Sequence, residues 1–372
     1  MAQQFKIVSI ITLIVFLCLR CSHATNPRTT ELAVTRNAGV IVKNKDVRNL
    51  LLSAKSGSAV AQFNIGRLDE VGQIVHQNFV RAAFWYRLAA AQGYVPAQNN
   101  LARLYLLGKG VHKNYAKAII WLRRAANQGD GAGMYNLGLC YIHGQGVPQN
   151  FHDAFRWILK GANAAYPPAE NALGILYERG CGVRRNYGRA AYWYHRCAET
   201  GDAVAAQNLG QMYQHGLGVP RNLRMAATWY RRAMARFRKS AAHSENSMYG
   251  IGMLYVHGCG IPRNYAKAMV WWKKSAHRGN VHAMCNIGYL YAHALGVERN
   301  YKMAMTWYHK AAVSGSAAAM MYVGFMYLKG QGIPENVIKA KIWFKKAAKA
   351  GNSRGKKTLE RLRKLVPAAM QK

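Results

Sequence analysis

Acidic residues are scarce in this chain. Its 372 residues hold 14 Asp and Glu against 52 Lys and Arg, a formal net charge of +38. A surface so one-sided attracts anions such as nucleic acid, acidic protein, anionic lipid or acidic glycan. The same scarcity leaves little material for the paired carboxylates of general acid–base catalysis. Cysteine lacks pattern: there is no CxxC pair, and Cys140, Cys181, Cys197, Cys259 and Cys285 are irregularly spaced. That excludes a disulfide framework, although one or two bridges stay open in an oxidising compartment, and it leaves zinc or thiol-redox chemistry without ligands. No HExxH occurs, and no glycine pair extends to GxGxxG after a strand or ends in GK[ST], so zinc-protease and phosphate-loop chemistry have no motif.

Long apolar runs are missing too, except at the start. Ile7–Leu19 is apolar apart from Ser9 and Thr12, and Lys6 precedes it. The run falls short of the roughly 20 residues that a membrane span needs. Ser22 and Ala24 then place small residues at the −3 and −1 positions of a cleavage site. The pattern predicts a signal peptide over residues 1–24, a periplasmic or secreted protein, and no transmembrane helix after cleavage. An uncleaved anchor is the competing reading. Cys18 and Cys21 belong to this segment, and Arg20 argues against a lipoprotein site at Cys21.

What the chain does have is a repeat. Trp85, Trp121, Trp157, Trp193 and Trp229 are 36 residues apart, and Trp271, Trp307 and Trp343 resume the step after a gap of 42. The six extra residues fall within Ala235–Ser247. Glycine keeps the same beat from Gly66 to Gly324, with Ala102 as the one substitute, and asparagine does so from Asn78 to Asn336. Eight copies therefore span about residues 57–351. Each copy reads as two helices. In Ala283–Ala294, Ile287, Leu290, Tyr291 and Ala294 share one face at helical spacing. A GxG turn follows, whose first glycine suits a left-handed helix cap. The recurring Asn then caps a second helix that carries the Trp. Such a pair cannot bury its apolar face alone, so neighbours must stack. The tryptophans are expected to fill the space between pairs, and the aromatic residue after each of them to be partly exposed.

The phrase A-x-x-x-LG-x-x-Y-x-x-G-x-GV-x-x-N-x-x-KA-x-x-W-x-x-KAA-x-x-G resembles the Sel1-like repeat (SLR), a relative of the tetratricopeptide repeat. The resemblance covers about four-fifths of the chain. It implies an all-α fold: an α/α right-handed superhelical solenoid of about eight SLR helix-turn-helix repeats. This chain departs from the family in carrying Asn where Asp is usual at the second-helix cap, and the first copy has a degenerate turn with Ile74 and His76. The expected organisation is a signal peptide over 1–24, an extension over 25–56 with a half-repeat capping helix, repeats over 57–351, and a basic capping helix over 352–372. In that helix Leu359, Leu362 and Val366 share one face.

Charge is sorted between the two helices. The thirteen-residue first-helix windows, Ala59–Val71 through Ala317–Lys329, hold four basic and five acidic residues. Second helices are strongly basic. The resemblance implies that second helices form a convex side and first helices line a concave groove. A basic back is thus expected, with Arg231, Arg232, Lys273, Lys274, Lys345 and Lys346 as candidates to meet anionic lipid, lipopolysaccharide or acidic glycan. The groove is expected to hold a protein partner through Asn100, Tyr141, Asn171, Tyr213 and Tyr291. Nucleic acid is disfavoured for an exported protein.

No chemistry displaces this reading. His112, His143, His215, His257 and His293 sit in turns; four of them mark the same repeat position, where the stacking distance of one repeat is on the order of 10 Å for packed helices, against metal bonds of about 2 Å. They read as polar turn residues, with no metal or cofactor. Some secreted SLR proteins are described as penicillin-binding or β-lactamase-like. That chemistry uses Ser-x-x-Lys with S-D-N and K-T-G. Here Ser353–Lys356 lies beyond the last repeat, Ser244-Glu245-Asn246 precedes it, and K-T-G is absent. The expectation is a non-enzymatic, exported scaffold or adaptor. By resemblance, its role is in host-cell entry or intracellular trafficking by a pathogen. A periplasmic envelope adaptor and, behind it, a cell-wall enzyme are the alternatives.

Overall fold

A computed structural model describes residues 44–72, 74–258 and 260–365. The expected signal segment with Cys18 and Cys21, and also Cys259 and Val366, lie outside those residues. Among the described residues the regular elements are eighteen α-helices and no strand. The chain divides into two units after Thr200. The first holds α1 (Asn44–Lys55), α2 (Ala59–Val71), α3 (Phe79–Ala91), α4 (Val95–Leu107), α5 (Tyr115–Asn127), α6 (Gly131–His143), α7 (Phe151–Asn163), α8 (Pro167–Arg179) and α9 (Tyr187–Glu199). The second holds α10 (Ala203–His215), α11 (Leu223–Ala241), α12 (Glu245–His257), α13 (Tyr265–His277), α14 (Val281–His293), α15 (Tyr301–Val313), α16 (Ala317–Lys329), α17 (Val337–Lys349) and α18 (Ser353–Leu365). Within each unit helices pack on their sequence neighbours, most broadly within a copy, so each unit is a stack of helical hairpins. This is an all-α solenoid architecture.

The recurring Asn explains why each hairpin turns where it does. Its side-chain oxygen accepts the N–H three residues on, at 2.7–3.1 Å in all eight copies. Such a cap is worth about 1 kcal/mol. Its own N–H donates to a carbonyl in the last turn of the first helix, from Asp69 in copy one to Tyr327 in copy eight, at 2.7–3.0 Å. One residue thus starts the second helix and ties it to the end of the first. The turn glycines add close approach. Gly182 has φ 70°, and a Cβ there would overlap the Phe151 carbonyl of the preceding second helix.

The core corrects the expected roles of the aromatics. The residue after each Trp is the buried one: Tyr86, Leu122, Ile158, Tyr194, Tyr230, Trp272, Tyr308 and Phe344 are all at most 3% exposed. In seven copies it lies on the recurring first-helix glycine; a Cβ on Gly174 would come within 2.6 Å of the Tyr194 ring. Ala102 stands in the copy whose inward residue is Leu122, a narrower side chain than a ring. The tryptophans occupy the next position round the helix. Of the eight that keep the repeat step, only Trp193 and Trp229 are buried, and the other six are half-buried. Consecutive helical residues are about 100° apart, so only one of two adjacent aromatics can face the partner helix squarely.

The six extra residues lengthen a helix rather than a loop. The second helix α11 has 19 residues where the others have 13, and its added turns bury Phe237 against Gly250. At the ends of the described chain, α1 buries Ala54 against α2, and α18 lays Leu359 and Leu362 on the cluster around Phe344.

Candidate interaction surfaces

First and second helices present different chemistry. Most first-helix residues are buried or half-buried, whereas second helices alternate buried and exposed positions. In the first unit the broadest contact between like helices joins α6 to α8, both first helices. Of the predicted groove residues, Tyr141, Tyr213 and Tyr291 are half-buried. Their carbonyls accept the N–H of Asn150, Asn222 and Asn300, so they sit at the turn end of each hairpin. Asn100 and Asn171 are 7% and 6% exposed and offer little to a partner. Asn100 is engaged with the Tyr86 hydroxyl.

That engagement belongs to a network that sequence reasoning missed. The Tyr86 hydroxyl donates to Glu70 Oε2 at 2.7 Å, and Arg103 from the next copy pairs with Glu70. Tyr194 donates to Glu178 at 2.6 Å and Tyr230 to Gln214 Oε1 at 2.7 Å, each sixteen residues back. Burial first, and then the neighbouring glutamate charge, pushes the Tyr86 and Tyr194 phenols well above their ordinary range. The fixed spacing of sixteen was legible, but nothing in it said that the tyrosine points inward.

Two further carboxylates are held inside the first unit. Asp69 pairs with Arg81 at 3.4 Å, and Glu170 with Arg196 at 2.8 Å. Burial raises both carboxyls above the usual range, and the arginines oppose the shift. Gln62 and Gln98 tie copies together: each donates to a carbonyl of the preceding second helix and accepts from the Gln closing its own.

On the second helices all six candidate cations are exposed. They divide into two rows. Arg231, Lys273 and Lys345 stand two positions after the Trp. Arg232, Lys274 and Lys346 stand three after it, and their charges lie over the rings of Trp229, Trp271 and Trp343 at 4.6, 4.9 and 4.3 Å. The same stacking recurs at Trp121, Trp157, Trp193 and Trp307, with copy one, which has Leu88 at that place, the exception. Cation–π attraction at exposed sites is worth about 0.5–1 kcal/mol, enough to hold a long side chain down without neutralising it. The signal was present as Trp-x-x-Lys/Arg.

Among the described residues no group of three or more His, Cys, Asp or Glu is placed to hold a metal, and no helix is long and apolar enough to cross a membrane. Ser244 caps α12 through its hydroxyl, and Asn246 accepts from Asn280, which are structural tasks. Ser353 opens α18.

Residues 59–94, 95–130, 131–166, 167–202, 203–235, 246–280, 281–316 and 317–352 each match the Sel1 repeat family. The chain belongs to the Sel1 repeat family. The break in the matches between residues 235 and 246 is the lengthened end of α11. Among solved structures it is similar to a protective antigen present in uropathogenic Escherichia coli strains that displays an SLR fold. The identity is 31% over 87% of this chain and 68% of that one, with a TM-score of 0.50. A Sel1 repeat protein from Oxalobacter formigenes is 30% identical over 85% of this chain and 89% of its own, with a TM-score of 0.43. No curated sequence matches the chain. Sel1 repeat proteins are scaffolds that bind protein partners, and their fold is typically non-enzymatic.

Proposed function

We propose that this Sel1 repeat protein is an exported, non-enzymatic adaptor that holds a protein partner on its first-helix side and meets an anionic surface on its second-helix side. The observation that supports this most is the sorting of side chains. Half-buried tyrosine, asparagine, glutamine and methionine collect on first helices, while exposed arginine and lysine collect on second helices. A merely soluble face mixes both signs of charge. The export component rests on the N-terminal sequence pattern. It accords with the antigenic character of the Escherichia coli relative, since antibodies reach exported proteins. Service in host-cell entry or trafficking is the specific role we attach to it, with anionic lipid, lipopolysaccharide or acidic glycan as the contact of the basic side.

The test separates the two sides. Tyr141→Ala, Tyr213→Ala and Tyr291→Ala are made singly, and crosslinked partners are compared with wild type in variants that keep their helical circular dichroism. Loss of the same partner from these variants, but not from Lys273→Glu with Lys345→Glu, supports the groove. Binding to heparin and to acidic vesicles is followed across salt. Contacts of this kind weaken as the screening length falls to about 3 Å at 1 M salt. Salt-independent binding, or hydrolysis of nitrocefin by the purified protein, would overturn the reading.

A further inference from the structure

Six of the eight copies obey an internal matching rule between two places. One is the inward residue of the second helix; the other is the residue sixteen before it, in the last turn of the first helix. Where the inward residue is Tyr86, Tyr194 or Tyr230, the earlier one is an acceptor: Glu70, Glu178 or Gln214. Where it is Leu122, Ile158 or Phe344, the earlier one is apolar: Leu106, Ile142 or Leu328. Trp272 follows Val256 and sends its indole N–H to the Tyr249 carbonyl at 3.1 Å instead.

Copy seven breaks the rule. Its inward residue is Tyr308, 2% exposed, and the residue sixteen before it is Ala292. The Tyr308 hydroxyl has no hydrogen-bond partner. Leaving a buried hydroxyl unmade costs about 1–3 kcal/mol, so a fold that pairs the other three tyrosines has left this one unpaired against its own pattern. Violations of local consistency concentrate at functional sites. A second departure lies two residues on, where Ala294 holds the left-handed cap at φ 56° that the seven other copies give to glycine.

The surroundings specify what fits. Glu70 and Ala292 are both half-buried, while the Tyr308 hydroxyl oxygen is itself closed to solvent, so an outside group reaches it only as the side chains over it shift. Between copies one and two it is ringed by Tyr86, Asn100 and Arg103; between copies seven and eight the matching residues are Tyr308, Tyr322 and Phe325. Tyr322 stacks on Tyr308 with ring centres 4.7 Å apart; burial pushes its phenol above the ordinary range, and the nearby Arg354 opposes the shift. Cys285 and Tyr289 face the same cluster, and burial pushes the Cys285 thiol up to about 12, so it stays protonated. The groups here are phenols, a neutral thiol and an arginine, with no carboxylate among them.

We infer that copy seven is a docking point for a partner protein's acidic side chain, which takes the place that Glu70 fills in copy one and accepts the hydrogen bond of Tyr308. The chain's excess of positive charge complements such a residue. This inference rests on the adaptor reading and adds to it the place and the chemistry of the contact.

The probe is a phage-displayed library of random twelve-residue peptides, selected on the full-length protein. Ala292→Gln supplies an internal acceptor, as Gln214 does for Tyr230, without changing the charge. The expected result is a peptide set with Asp or Glu at one fixed position that binds wild type and binds Ala292→Gln about tenfold more weakly, the loss of one charge-assisted hydrogen bond. Tyr308→Phe, which removes one oxygen and leaves the ring in place, should weaken the same peptides similarly. It covers the case in which Ala292→Gln fails to fold. Acidic peptides held equally by all three proteins overturn the inference while leaving the adaptor reading intact, because the basic second helices then capture them. A set without a fixed acid, or no enrichment, overturns it too; the adaptor reading is judged separately by the crosslinking comparison.

Discussion

Glu178→Leu should destabilise the first unit by about 2 kcal/mol, and Tyr194→Phe should largely undo the damage. Tyr194 is fully buried, and its hydroxyl donates to Glu178 at 2.6 Å. A hydrogen bond to a charged group contributes about 1.5–3 kcal/mol, and the bare hydroxyl left behind costs about 1–3 kcal/mol of desolvation. Leucine is the residue this chain itself uses at that place in copies two and eight, Leu106 and Leu328, so the substitution adds no foreign shape. Tyr194→Phe alone should cost about 1 kcal/mol, since the half-buried Glu178 can turn to water. The double variant rebuilds the apolar pairing of copy eight, Leu328 with Phe344, and should lie within about 1 kcal/mol of wild type. Urea unfolding followed by circular dichroism gives the four midpoints of the cycle. If the double variant loses the sum of the two single losses, the tyrosine and the acid are not matched through their hydrogen bond, and the rule applied to copy seven loses its physical basis.

Gly324→Ala would set a Cβ 2.5 Å from the Phe344 ring, an overpacking loss of about 1–3 kcal/mol; Phe344→Leu should recover part of it, as Leu122 tolerates Ala102, and denaturation midpoints report both. Ala294→Gly should raise stability by about 1 kcal/mol, because alanine is strained in the left-handed cap, and an unchanged or lowered midpoint contradicts this. His282 is buried and its pKa is lowered from 6.5 to about 4. Its contribution is therefore complete above pH 6.5 and is lost as pH falls toward 4, when the unfolded chain takes a proton that the folded one refuses. The full loss is about 3 kcal/mol, and His282→Gln should flatten the midpoint against pH over that window; burial lowers His143 and His257 in the same sense.

Much of the architecture was legible in the chain because repetition and capping are local. Asn at a fixed step names the start of each second helix, and glycine the end of each first, whatever the helices pack on. The thirteen-residue windows drawn from the repeat coincide with the eight first helices, from α2 to α16. The segregation of Arg231, Lys273 and Lys345 was equally visible, since charge needs only to be counted along the chain. The tyrosine network was not. Its spacing of sixteen is regular, but it carries meaning only once Tyr194 is known to face inward.

The sequence alone settled the number of hairpins, their ends and the helix that carries the charge, because each follows from neighbours within a few residues. Only the tertiary structure decided which of two adjacent large side chains turns inward. Trp193 and Tyr194 differ by about 100° on one helix, and the bare surface of Gly174 on the facing helix selects the tyrosine. It also decided that the added residues of copy five prolong α11, that lysines such as Lys346 lie down on tryptophan, and that the hydroxyl of Tyr308 is buried without the partner its counterparts have. These outcomes depend on surfaces brought together from separate helices, and the order of residues along one helix does not contain them.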